Sequence, residues 1–337
     1  MIDIKRGRYV ERIAEEWLDV VKDFFNTPGK PYIMIGKKRR YFTNYGEKLK
    51  YQCIQAVLGC TRDQRLRKKY IAQLEYWWQN IDNIILSTPA AMEAQIRIWD
   101  KKNIGQTRLQ EVLSDILEDY YDTVSKKHGL KLVEMLNIKT CPYCNRQFIY
   151  TFKGKMPDNK ERAERPELDH FYPKKAYPLY CLSFYNLIPA CHSCNHVKSE
   201  SKIGVNPYQR AFMRKFVITD KNGKKLTKAQ IYRLTKKEIR LKFEGRDRDE
   251  EQNVSVLGLE NVYNKHTDYV KELIDKSMEY DKYARQALVT TFQGAGYHPR
   301  QVYDFVWGRY LMDAQYEDRP LSKLTKEILD LIDIKRG

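Results

Sequence analysis

Four cysteines and one acid–histidine pair carry the chemical signal of this 337-residue chain. Cys141-Pro142-Tyr143-Cys144 and Cys191-His192-Ser193-Cys194 are two Cys-x-x-Cys turns separated by 46 residues. Zn²⁺ takes four thiolates tetrahedrally at about 2.3 Å, and each such turn presents two. Brought together, the turns predict a closed Cys₄ zinc site with no position open to water, and therefore a structural one. A redox Cys-x-x-Cys would want a single pair opening a helix after a strand, and would leave the second pair unexplained. Cys53, Cys60 and Cys181 have no partner pattern and read as buried apolar thiols. Seven cysteines is an odd number, and without a secretion signal it argues against a disulfide framework.

Between the turns lies "ELDHFYP", Glu167 to Pro173, which sets Asp169 beside His170. Alone, the pair could be a strand end with two polar residues left to solvent. A zinc staple changes that reading, because the peptide between the turns holds Asp169, His170 and Asn186, and Cys194 is followed at once by Asn195. An imidazole titrates near pH 6.5, which suits His170 to accept a proton. The Asp169 carboxylate and the Asn195 amide oxygen are hard donors, suited to Mg²⁺ or Mn²⁺ that keeps several waters. Lys198, three residues beyond Asn195 on the same helical face, can reach a phosphate. Adjacent strand residues point to opposite faces, so sharing one site requires a bend at Asp169-His170, and Pro173 fits a strand that is ending. His192 and His196 are four apart, but His192 lies inside the bent turn and neither is expected to ligate. His128, His266 and His298 join no constellation and read as structural or exposed.

The elements that must position these residues read as α+β and mostly helical. Residues 1–138 predict a helical N-terminal domain: in "ERIAEEWLDVVKDFF", Ile13, Trp17, Val20, Val21 and Phe24 recur at helical spacing. Thr27-Pro28-Gly29 and Ser87-Thr88-Pro89 break the helices, and Trp77-Trp78 reads as core. Residues 139–205 form a compact core of short β-like runs around the cysteine turns. Residues 206–337 form a basic, largely helical region with a β-hairpin near 216–244, signalled by Asn222-Gly223 and by the alternation of Ile239, Leu241 and Phe243. The stretch 207–248 holds 14 Lys plus Arg and 4 Asp plus Glu. "IDIKRG" occurs twice, at 2–7 and 332–337, for which the sequence offers no physical reason.

Read whole, "ELDHFYPKKAYPLYCLSFYNLIPACHSCNHVKSE" resembles the HNH endonucleases, the ββα-metal nucleases, in their zinc-knuckled branch. The Asp-His pair, the central Asn and the closing C-x-x-C-N-x-x-K carry the resemblance, which is specific over 139–205 and weakest over the first 130 residues. "CPYCNRQF", "ELDHFYPK" and "YNLIPACHSCN" look most like the HNH component of bacterial Septu-type anti-phage systems, which works beside an ABC/AAA-type ATPase. The resemblance implies a zinc-stapled ββα core, His170 as general base, Asp169 and Asn195 on a catalytic Mg²⁺ or Mn²⁺, and an ATPase partner. Asn186 would brace the loop that aims His170. These roles are also what phosphodiester hydrolysis requires: a base for water, a cation for the phosphoryl charge, and positive groups for neighbouring phosphates.

Composition is compatible with that expectation. The formal charge of +17 suits a polyanion, with double-stranded DNA the expected substrate. Met1 to Gly7 has no apolar signal-peptide core and no run is long enough to span a membrane, so a soluble, cytoplasmic protein is expected. No G-x-x-x-x-G-K-[ST] appears, so any ATP-driven control must come from a partner, with Trp17, Trp77, Trp78 and Trp99 as candidate anchors. A different class of function also fits: a zinc-containing nucleic-acid-binding or partner-docking module whose nuclease site is idle.

Overall fold

The computed structural model describes residues 2–4, 7–101, 108–157, 161–308 and 310–334. Its elements are α1 (Arg8–Asn26), β1 (Tyr32–Ile35), β2 (Lys38–Tyr41), α2 (Tyr45–Cys60), α3 (Gln64–Gln79), α4 (Ile81–Ile85), α5 (Pro89–Lys101) and α6 (Arg108–Leu136), then β3 (Phe152–Lys155), β4 (Glu161–Glu164), β5 (Glu167–His170), β6 (Leu187–Ala190) and α7 (His192–Lys198). They continue as β7 (Lys215–Ile218), α8 (Lys228–Ile231), β8 (Leu241–Glu244), α9 (Arg248–Val256), α10 (Leu259–Tyr263), α11 (Thr267–Glu279), α12 (Lys282–Gly294), α13 (Pro299–Trp307) and α14 (Ser322–Leu331). The architecture is α+β and mostly helical, and its strands pair antiparallel, two by two. No helix among the described residues is long and apolar enough to cross a membrane.

The helical periodicity of the first region turns into burial. Ile13, Trp17, Val21 and Phe24 of α1 are buried, with Val20 half-buried at the edge. One cluster of buried side chains, running from Ile4 to Ile334, unites the N-terminal helices, the cysteine segment and the C-terminal helices. Trp17 and Trp77 belong to it, which corrects their expected place at a partner interface; Trp78 packs against it half-buried, and the side chain of Trp99 lies outside the described residues. Both indoles also donate to the stretch joining β5 to β6: Trp17 Nε1 to Leu182 O at 2.9 Å and Trp77 Nε1 to Leu179 O at 3.1 Å. Ser183 Oγ donates to Ile84 O at 2.7 Å from the other direction. The N-terminal helices therefore fix that loop in place. The two "IDIKRG" copies share a physical role: Ile2, Ile4, Ile332 and Ile334 are all buried.

The expected hairpin in the basic region forms differently. Asn222-Gly223 does turn the chain, with Gly223 at φ 82° and a Thr219–Lys225 bridge beyond it. The partner of β7, however, is β8, paired Lys215↔Glu244 to Ile218↔Leu241 after α8 intervenes. Ile239, Leu241 and Phe243 are buried as their alternation predicts. Nearby, α9 approaches the chain so closely that a Cβ on Gly204 would stand 2.4 Å from Asp249 Cα, a position only glycine can fill. The β1–β2 ribbon behaves in the opposite way to β5–β6: its residues are exposed, apart from half-buried Ile33.

Candidate metal centre and acid–histidine site

Cys141 and Cys144 lie between α6 and β3, Cys191 caps α7, and Cys194 sits in its first turn. Their sulfurs all lie within 4.8 Å of one another, and Cys144 Sγ is 4.0 Å from Cys191 Sγ. Four sulfurs tetrahedrally placed about 2.3 Å from Zn²⁺ stand roughly 3.8 Å apart, so spacing and donor type both fit. The four cysteines are buried and could hold a zinc ion. Sharing of hydrogen bonds with Cys141 pulls the Cys144 and Cys191 thiols down, while burial pushes Cys141 up and its neighbours push Cys194 up. Cys53 and Cys181, pushed up to about 12 by burial, are the inert thiols expected of isolated cysteines.

Local hydrogen bonds shape each turn. Asn145 N donates to Cys141 O at 2.7 Å and Arg146 N to Cys144 Sγ at 3.4 Å; in the second turn Asn195 N donates to Cys191 O at 3.1 Å. Asn145 takes a left-handed φ of 48°, which asparagine tolerates. Its Nδ2 donates to Tyr316 O at 2.7 Å, and its Oδ1 accepts from Lys323 N at 3.2 Å.

β5 and β6 pair from Glu167↔Ala190 to His170↔Leu187, and α7 packs on one face of the pair. Regular pairing through His170 corrects the expected bend: alternation persists, so Asp169 turns to α7 while His170 turns to the β5–β6 loop and α6. Asp169, only 3% exposed, accepts from Tyr143 Oη at 2.6 Å, and Lys198 Nζ lies 3.1 Å from both of its carboxylate oxygens. Lys198 also donates to His170 O at 2.7 Å. Burial raises the Asp169 carboxyl and lowers the Lys198 ammonium, and their pairing opposes both shifts. The structure thus corrects the phosphate contact expected of Lys198: its helical face packs on β5, and the side chain is 0% exposed.

His170 Nε2 lies 3.0 Å from Cys181 O. A carbonyl only accepts, so Nε2 carries the proton and the lone pair is on Nδ1. The ring stands edge-on to Tyr121 at 4.4 Å between centroids, and burial pushes its pKa down to about 3, so the imidazole is neutral at pH 7. The loop supplying that carbonyl is closed by Asn186. Its Oδ1 accepts from Tyr172 N at 2.7 Å, its Nδ2 donates to Tyr180 O at 3.0 Å, and its own carbonyl accepts from Phe171 N at 2.9 Å.

Asn195 meets Glu167 rather than Asp169: its Nδ2 donates to Glu167 Oε2 at 2.6 Å. A carboxylate only accepts, so the amide orientation is fixed and Asn195 Oδ1 is left for a cation or a donor. Glu167 Oε1 also lies 2.7 Å from His192 Nδ1, and these two partners outweigh the burial that would raise the Glu167 carboxyl, holding it below its usual range. Reasoning from sequence passed over Glu167 and Tyr143. Glu167, two residues before Asp169, shares its strand face and was legible by period; nothing local foretells that Tyr143 reaches Asp169. Of the other histidines, His192 and His196 stack at 5.8 Å, His266 accepts from Arg146 Nε at 2.9 Å, and His298 caps α13. No family model, curated protein or solved structure matches this chain.

Proposed function

We propose that the chain is a metal-dependent endonuclease of the HNH, or ββα-metal, type that hydrolyses phosphodiester bonds of DNA. One observation carries the reading: a short antiparallel strand pair is followed by a helix across a four-cysteine cluster, with Asp169 and His170 ending the first strand and Asn195 on the helix. Zinc on the four cysteines would be structural. His170 keeps a lone pair on Nδ1, the position that would accept the proton of an attacking water, although burial, by lowering its pKa to about 3, makes it a weaker base than the free imidazole the sequence led one to expect. Asn186 and the Cys181 carbonyl hold that ring in place. On the other face, Asp169 and the free Oδ1 of Asn195 are the donors that would hold Mg²⁺ or Mn²⁺, and Glu167 fixes the Asn195 amide. When bound, that ion supplies charge stabilisation at the phosphoryl group. For a phosphodiester to reach both faces, Lys198 would have to move off the buried Asp169 carboxylate.

The test is nicking of supercoiled plasmid by pure protein with Mg²⁺ or Mn²⁺. His170→Ala should slow cleavage by about 10²–10⁴-fold with zinc content and DNA binding kept; undiminished cleavage refutes the assignment. A second reading has its own observation, the Asp169 carboxylate already filled by Tyr143 and Lys198 and closed to solvent. That favours a zinc-containing nucleic-acid-binding or partner-docking module, in which wild type and His170→Ala bind alike and neither cleaves. The narrower role, effector of a cytoplasmic anti-phage complex run by an ATPase, rests on the resemblance of "CPYCNRQF" and "YNLIPACHSCN"; co-expression with a neighbouring ATPase and size exclusion tests it.

A further inference from the structure

The β1–β2 ribbon holds side chains that packing does not account for. Segment 30–42, "KPYIMIGKKRRYF", has five cations, Lys30, Lys37, Lys38, Arg39 and Arg40, and no acid. The strands pair Tyr32↔Tyr41, Ile33↔Arg40, Met34↔Arg39 and Ile35↔Lys38, so Tyr32, Met34, Arg39 and Tyr41 share one face. On the other face Ile33 is half-buried and Arg40 lies over the Tyr51 ring of α2 at 4.0 Å, while Ile35 and Lys38, nearer the tip, are exposed. On the outward face Tyr32, Met34 and Tyr41 are 42%, 55% and 53% exposed. Arg39 is held over Tyr32 at 4.6 Å, and the two tyrosine rings stand 5.8 Å apart. An isolated two-stranded hairpin is only marginally stable, and exposed apolar side chains on it mark a surface that meets something.

We propose that this ribbon is the element that grips duplex DNA, an inference that rests on the nuclease reading for its substrate. Charge identifies the class of partner: a cationic, acid-free tip fits phosphates. Shape supports it, since the major groove, about 12 Å wide, admits a two-stranded ribbon. Lys37 and Lys38 follow the Gly36 turn at the tip and contact phosphates. Arg39, held against Tyr32 before binding, presents its guanidinium fork to base edges with less freedom to lose. Tyr32, Met34 and Tyr41 cover the apolar parts of the groove wall.

The experiment measures binding of the full-length protein to a fluorescent 30-base-pair duplex across a salt series, without added Mg²⁺ or Mn²⁺. Lys37→Ala with Lys38→Ala should weaken binding and reduce the slope of log K against log salt by about two. Arg39→Ala should cost about tenfold in affinity. Zinc content and circular dichroism of both variants should match wild type. Wild-type affinity and slope in both variants overturn the proposal, as does wild-type binding to phosphatidylserine vesicles but not to the duplex. The two readings fail separately. Cleavage with unaltered binding in the ribbon variants sinks the ribbon and leaves the nuclease; ribbon-dependent binding with no cleavage under either metal does the reverse.

Discussion

The β1–β2 and β5–β6 pairs are built alike, four residues against four in antiparallel register, yet the first is nearly all exposed and the second nearly all buried. Strand pairing is therefore not what distinguishes them; what is packed around each pair is. β5–β6 is locked by the cysteine cluster, by Asn186 and by two tryptophans from distant helices, which gives Asp169, His170 and Asn195 fixed positions. β1–β2 leans on α2 through Arg40 and Tyr51 alone among the described cation–ring contacts of its cations, apart from those within the segment itself. A site that orients atoms needs the first kind of surroundings; a surface that accommodates a partner needs the second.

Breaking the buried pair should have the largest effect. Cys191→Ser should lower zinc from about one per chain to none and unfold the core, because metal binding free energy of this kind is folding free energy. Elemental analysis with thermal melts checks it, and a zinc content near zero in wild-type protein with intact cysteines would sink the zinc site. Next comes Lys198→Met, which leaves Asp169 buried without its cation and should cost about 3–5 kcal/mol. Adding Asp169→Asn should return much of that loss, a double-mutant signature measurable by urea unfolding. The smallest effect concerns pH. His266, half-buried beside Arg146 with Asp268 and Cys144 near, has a pKa lowered by burial and by Arg146. A histidine lowered on folding contributes stability that is full above its unfolded pKa of about 6.5 and lost as pH falls through its folded value. His266→Gln should therefore flatten the loss of stability below pH 6.5 relative to wild type, and parallel curves would contradict it.

The sequence made some of this legible and not the rest, for identifiable reasons. The Cys-x-x-Cys spacing foretold the sulfur cluster because each turn is a local geometry, and the helical period foretold which side chains of α1 are buried. The alternation around Leu241 survived and the strands at the two ends of 216–244 do pair, but α8 stands between the Asn-Gly turn and β8, because such a turn specifies a reversal and not which strand continues it. Lys198 was misread for a related reason: helical spacing gives a face, and only packing says whether that face meets solvent or β5. Tyr143 on Asp169 was illegible, since 26 residues separate them and no period links them.

Asn145 fastens the first cysteine turn to residues as far as 178 positions later in the chain. At about 5–20 residues per second, synthesis of that stretch takes roughly 10–35 s. During that interval Cys141 and Cys144 are already made, but Asn145 lacks the carbonyl of Tyr316 and the amide of Lys323 that complete its side chain. A nascent chain cut short before Tyr316 carries all four sulfurs but neither of these two anchors for Asn145, so the four sulfurs can meet before the first turn is fastened. The order of synthesis thus separates the gathering of the sulfurs from the fastening of the turn that holds two of them.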